Sequence, residues 1–267
     1  MKAKFRHAKD FRGEGRREPS ERGDWIYGRR PVFEVVKAER RHLYEAVLPR
    51  EGHDSPEVAE LRGLLLARGV PFRTMEREEL DELCEGGNHQ GVALRTGGFP
   101  YISIEQVIHD VKEDANALIL LLDHIEDPQN VGSLLRTADA AGVTAVLLPE
   151  DRASGVTPGV VRASAGAAEH MRVAKVVNLV RAMKELQECG VWITGLDFGP
   201  DAKAYTAVDF KGRAGLVVGS EGKGISRLVR ESCDFIACLP MKGRVESLNA
   251  GVAGAIALYE IVRQRAK

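Results

Sequence analysis

The chain has 267 residues, of which 44% are hydrophobic and 29% charged, and its formal net charge is −1. That balance fits one large or two modest globular domains and excludes a disordered or uniformly polybasic polypeptide. The longest wholly apolar run, residues 117–122, is far too short to cross a bilayer, and the charged N-terminus has no signal-peptide core. The cysteines, Cys84, Cys189, Cys233 and Cys238, form no CxxC pair and have no histidine at a zinc-binding interval. Neither a metal site nor a disulfide framework is expected, and a reducing, cytoplasmic location is.

Residues 1–24 form the first segment. Residues 1–22 hold eight Lys/Arg against four Asp/Glu with few aliphatics. Such a stretch cannot offset its ordering entropy by burial, so it reads as a mobile basic arm, either phosphate-seeking or simply solvated. From Trp25 the pattern becomes regular. Helices are expected over 31–40, 55–67 and 77–84, with strands over 42–48, 70–75 and 90–95. Ser55-Pro56 has the chemistry of a helix start and Gly69 of a helix stop. Residues 25–96 therefore describe a small α/β domain. Thr96-Gly97-Gly98-Phe99-Pro100 is boundary punctuation, so residues 97–115 read as linker and helix.

Residues 116–267 form the second domain. Strands are expected over 117–123, 144–148, 172–175, 191–195, 214–219 and 234–239. The linker helix is expected over 103–111, and the domain's helices over 128–141, 158–165, 178–189 and 247–263. Apolar strands alternating with helices predict a parallel sheet covered on both faces.

Ligands in such sheets bind beyond the carboxyl ends of the strands. Three segments are unusual at that location: residues 122–138 (LDHIEDPQNVGSLLRTA), 217–226 (VVGSEGKGIS) and 239–250 (LPMKGRVESLNA). Taken singly, each has a plain reading. Asp123, Glu126 and Asp127 beside a helix start complement the helix dipole rather than bind metal. Residues 219–224 lack the GK[ST] ending of a phosphate loop, and Arg227 stands where a dinucleotide fingerprint needs its third glycine. Ser247 reads as a helix N-cap and Arg136 as a surface charge.

Taken together and in order, the segments resemble the three motifs of the SpoU (TrmH-type) RNA 2′-O-ribose methyltransferases of the SPOUT superfamily. The likeness rests on Asp127, Asn130, Gly132 and Arg136-Thr137-Ala138, then Gly219-Ser220-Glu221-Gly222-Lys223-Gly224-Ile225, then Pro240-Met241 with Ser247-Leu248-Asn249. Arg29-Arg30-Pro31-Val32 and Asn88-His89-Gln90-Gly91-Val92-Ala93 extend it into the first half. There the chain is similar to the ribosomal-protein-like RNA-binding domain of family members that modify a guanosine of 23S rRNA.

The resemblance implies an α/β fold with a C-terminal trefoil knot, S-adenosylmethionine held in the knotted loops, and a homodimer with the site near the subunit interface. It implies cofactor contacts from Gly219, Leu239 and Leu248, with Gly195 and Met241 as further candidates. It implies catalytic roles for Asn130, Arg136, Glu221, Ser247 and Asn249. A guanidinium titrates above about 12 and is a poor base at neutral pH, so Arg136 reads better as a phosphate and alkoxide partner. After Asn249 the family often has Val-Ser. Here Ala250-Gly251 follows, which points to looser packing near the cofactor. A tRNA substrate, or a non-catalytic RNA-binding protein, are the alternatives.

Overall fold

The computed structural model describes residues 23–50, 55–245 and 247–266, so residues 1–22 of the basic arm lie outside it. The first described strand, β1 (Asp24–Tyr27), begins inside the segment read as an arm and was not expected. It exists through a distant partner, pairing antiparallel with β4 from Asp24↔Thr96 to Tyr27↔Ala93. The rest of the first domain runs α1 (Arg29–Ala38), β2 (Leu43–Val47), α2 (Pro56–Ala67), β3 (Phe72–Arg73), α3 (Arg77–Leu83) and β4 (Ala93–Thr96). Its sheet order is β1-β4-β2-β3.

Two strands are shorter than their patterns suggest. Gln90 and Gly91 both adopt left-handed backbone (φ 52° and 80°), so the turn absorbs them and β4 starts at Ala93. Residues 70–75 contract to a two-residue edge strand paired only with β2. Pro71 has no N–H to donate to a ladder.

The second domain continues with α4 (Ile104–Glu113), β5 (Leu118–Asp123), α5 (Pro128–Ala140), β6 (Ala145–Pro149), α6 (Pro158–Ala163), β7 (Val173–Val176), α7 (Leu179–Glu188), β8 (Trp192–Leu196), β9 (Lys203–Ala204), β10 (Ala214–Gly219), α8 (Arg227–Glu231), β11 (Phe235–Cys238) and α9 (Ala250–Arg265). A Ser103–Gln106 capping box starts α4. The seven strands are all parallel, in the order β7-β6-β5-β10-β8-β11-β9. Leu118, Leu120 and Leu122 of β5 pack into one core and Ile119 and Leu121 into the other, so both faces are covered.

From β5 the chain steps outward to β6 and β7, then crosses to the far side of β10. The crevice above β5 and β10 is thus the topological switch point, where a ligand site belongs. The short strand β9 and helix α8 carry no periodic pattern of their own and were not expected.

The two domains share one hydrophobic core, and a buried charge cluster pins them together. Arg41 makes a bidentate pair with Glu169, Nε to Oε2 at 2.9 Å and Nη2 to Oε1 at 2.6 Å, with both side chains at most 1% exposed. Arg40 donates to the carbonyls of Glu169 and Met171, at 3.0 and 2.6 Å, and to that of Pro100. Both guanidiniums lie over the Phe99 ring. Gly97, expected in a linker, donates its N–H to the His42 carbonyl and accepts from Arg41. The junction is part of the packed structure rather than a tether.

Candidate functional site

Three loops converge above the switch point. At the end of β5, the Asp123 carboxylate is buried, and its Oδ2 accepts the Ser226 N–H at 2.6 Å. Its Oδ1 lies 2.5 Å from Nδ1 of His124. Asp123 therefore anchors the 220–226 loop to β5 and is not the dipole complement expected from sequence. Asp127 does fit that reading, capping α5 through the Gln129 N–H at 3.0 Å.

Asn130, in the first turn of α5, donates from Nδ2 to Glu221 Oε1 at 2.9 Å. Asn249 donates from its own Nδ2 to Asn130 Oδ1 at 2.7 Å and to Glu221 Oε1. The Ala250 N–H completes the group around Glu221 at 3.4 Å. One carboxylate oxygen thus ties the three motif loops together, and the amides fix its direction.

The last helix begins later than expected. Asn249, not Ser247, is its N-cap, accepting the Val252 N–H at 3.1 Å. Ser247 lies in the preceding loop and faces a cavity instead. The Ala250-Gly251 departure does not loosen packing either. A Cβ on Gly251 would sit 3.1 Å from Ser133 Oγ, so glycine lets α9 close onto α5.

Four of the five expected cofactor residues, Gly219, Leu239, Met241 and Leu248, line a cavity of about 420 Å³ at the ends of β8, β10 and β11. Leu196, Val218, Ala250 and Ala253 add apolar wall, while Asp197, Ser220, Ser247 and Glu221 supply polar atoms. This size and mixture suit a nucleoside such as S-adenosylmethionine, apolar around a base and polar toward ribose and amino acid groups.

Gly195 does not line the cavity. A Cβ there would meet Ile225 Cδ1 at 2.6 Å in the core on the other side of the sheet, so its smallness serves packing. Gly219 does, but its glycine requirement has another cause than close ligand approach. A Cβ would lie 2.2 Å from the Gly224 carbonyl, so any side chain would break the loop that carries Glu221.

Leu196, Asp197 and Phe198 were missed. Leu196 ends β8 and Asp197 and Phe198 follow it, so the strand-end rule was the available signal. Arg136 stands apart from the cluster: it is exposed, and among the described residues it makes no hydrogen bond or ion pair. Glu221 is held by Asn130 and Asn249 and does not orient Arg136.

The four cysteines are unpaired. Burial pushes the Cys233 thiol up to about 12 and the Cys84 thiol up to about 11, so neither forms a reactive thiolate near neutrality. Cys238 is partly exposed in the cavity that Gly219, Leu239 and Leu248 line. Alkylation at pH 8 should therefore spare Cys84 and Cys233, and saturating S-adenosylmethionine should protect Cys238 but not the equally partly exposed Cys189. Peptide mass mapping tests this, and unprotected Cys238 would remove it from the cofactor wall. Among the described residues, no group of three or more His, Cys, Asp or Glu could hold a metal ion.

Two family models match. Residues 117–259 fit the SpoU rRNA methylase family, and residues 25–102 fit the RNA 2′-O ribose methyltransferase substrate-binding domain. A 23S rRNA (guanosine-2′-O-)-methyltransferase RlmB of Xylella fastidiosa is 39% identical over 251 residues, covering 92% of this chain and 98% of that one. The AdoMet-bound SpoU methyltransferase AviRb of Streptomyces viridochromogenes superposes with a TM-score of 0.75 at 25% identity, covering 91% of this chain and 90% of that one. The A. aeolicus TrmH/SpoU tRNA modifying enzyme is 28% identical with a TM-score of 0.52, covering 61% of this chain and 84% of that one. The chain belongs to the SpoU family of RNA methyltransferases and has its SPOUT-type α/β fold. It is an S-adenosylmethionine-dependent RNA 2′-O-ribose methyltransferase.

Proposed function

We propose that the protein methylates the ribose 2′-oxygen of a guanosine in 23S rRNA, as a cytoplasmic homodimer. The observation that carries the reading is the Asn130–Glu221–Asn249 cluster at the rim of the cofactor cavity, on a chain that also has a docked N-terminal domain. The cofactor supplies an electrophilic methyl group on a sulfonium sulfur. The protein's task is to align a ribose hydroxyl with that methyl and stabilise charge as the proton leaves. Glu221, held on one oxygen by two amides, leaves its other oxygen to orient the ribose. Arg136 is assigned to the RNA phosphate and the developing alkoxide. Ser247 is assigned to the cofactor side of the rim.

The rRNA reading draws on the N-terminal domain. The tRNA enzyme aligned above leaves much of this chain unmatched, whereas the RlmB relative spans 92% of it. Support for the dimer comes from α9, where Val252, Ile256 and Tyr259 form one exposed apolar stripe at helical spacing. A membrane location has no helix to use, since none among the described residues is long and apolar enough to cross a bilayer.

The deciding experiment is transcriptome-wide mapping of 2′-O-methyl groups with and without the gene. Loss of one guanosine methylation in 23S rRNA is expected. Loss confined to tRNA would overturn the substrate assignment, and no loss anywhere would overturn the activity.

A further inference from the structure

A second cleft, of about 500 Å³, lies on the other side of the Glu221 loop. Ser220, Glu221, Lys223 and Gly224 belong to the walls of both cavities, so the loop is the partition between them. A methyl transferase needs two ligands meeting at one point, and this arrangement places a second cavity next to the first.

The cleft's charges sort themselves by what they already bind. Asp123 is taken by Ser226 and His124, Asp127 by the α5 cap, and Glu221 by Asn130 and Asn249. Among the described residues, three charged side chains of the lining have no partner: one carboxylate, Glu126, and two cations, Arg152 and Lys223. His124 adds an aromatic ring, fixed by the buried Asp123 and held in left-handed backbone at φ 56°. Arg152 has the same unusual backbone, at φ 53°. Neither is glycine, so each conformation is maintained at some cost by the loops around it.

We propose that this cleft binds the acceptor nucleotide and that Glu126 reads its base as guanine; the proposal rests on the RNA-methylating reading above. Guanine is the base whose Watson–Crick edge presents two adjacent donors, N1–H and the N2 amine, and a carboxylate accepts both. Adenine presents an acceptor at N1 and would face Glu126 lone pair to lone pair. An unpaired base can also stack on the His124 ring, as single-stranded RNA bases do on aromatic side chains. Arg152 and Lys223 supply the phosphate contacts.

The test uses the full chain and short RNAs carrying guanosine, inosine or adenosine at the mapped position, read by single-turnover methylation. Inosine lacks only the N2 amine. Wild type should favour guanosine over inosine by roughly tenfold or more, the scale of one hydrogen bond to a charged group. Glu126→Ala should bring that ratio within about twofold of one, and Glu126→Gln, which keeps a single acceptor, should fall between. Affinity for S-adenosylmethionine, by calorimetry, should not move. Equal use of guanosine and inosine by wild type, or an unchanged ratio in Glu126→Ala, overturns the base assignment. Failure of wild type on every RNA would instead count against the activity itself. In filter binding, Arg152→Ala should reduce the salt slope by about 0.7, one single-strand phosphate contact. An unchanged slope overturns the phosphate assignment.

Discussion

Arg41→Met is expected to destabilise the protein by about 3–5 kcal/mol, the range for removing one member of a buried ion pair. The reason is what it leaves behind. Glu169 is fully buried, and Arg41 makes two of its side-chain hydrogen bonds, at 2.6 and 2.9 Å. Without the guanidinium, a carboxylate must either stay charged in a dry environment or take up a proton. For a chain of this size the loss corresponds to a melting temperature lower by on the order of 10 °C. The double variant Arg41→Met, Glu169→Leu should recover much of it, because well-packed apolar replacements of buried pairs are often neutral. A thermal melt of Arg41→Met matching wild type would show that the pair is dispensable. The same logic applies to a truncated chain starting near Ser103. It would strip Arg40 and Arg41 from Glu169, so loss of methylation there would report damage to the catalytic domain as well as loss of an RNA-binding module.

That junction was not legible in the sequence. Gly97-Gly98 has linker composition, and nothing local says that Arg41 reaches across 128 positions to Glu169. The elements that were legible are those whose cause is local. Short continuous apolar runs marked β5 and β10 as strands buried on both faces, and the Pro128 and Pro158 starts marked α5 and α6. Strand β1 has its cause elsewhere, in pairing with β4, and β9 is two residues long at a sheet edge.

The site divides the same way. Residue types and order picked out Asn130, Glu221 and Asn249, which the fold brings within hydrogen-bonding distance. The reasons attached to single residues fared less well. Asn249 took the capping role expected of Ser247, and Gly195 and Gly219 turned out to be glycine for packing against their own chain. Glycine marks a close approach, but only the fold says what approaches.

Arg136→Ala is expected to lower single-turnover methylation by a hundredfold or more, the scale seen when a transition-state charge donor is removed. The structure sharpens the case for a role toward RNA. Helix α5 buries Asn130, Val131, Leu134, Leu135 and Ala138, which leaves Arg136 on its outer face beside Ser133. There it neither packs in the core nor pairs with any described residue, so its removal should cost little stability and leave cofactor affinity within about twofold. Arg136→Lys should retain part of the activity, because an ammonium still attracts phosphate while losing the bidentate fork. Rates measured against pH with saturating cofactor and RNA separate the two possible roles. A cation that binds phosphate and developing alkoxide shifts the whole profile down without changing its shape. A base would contribute an ionisation to wild type that both variants lack. Normal turnover in Arg136→Ala would exclude both roles and leave the Asn130–Glu221–Asn249 cluster to act without it.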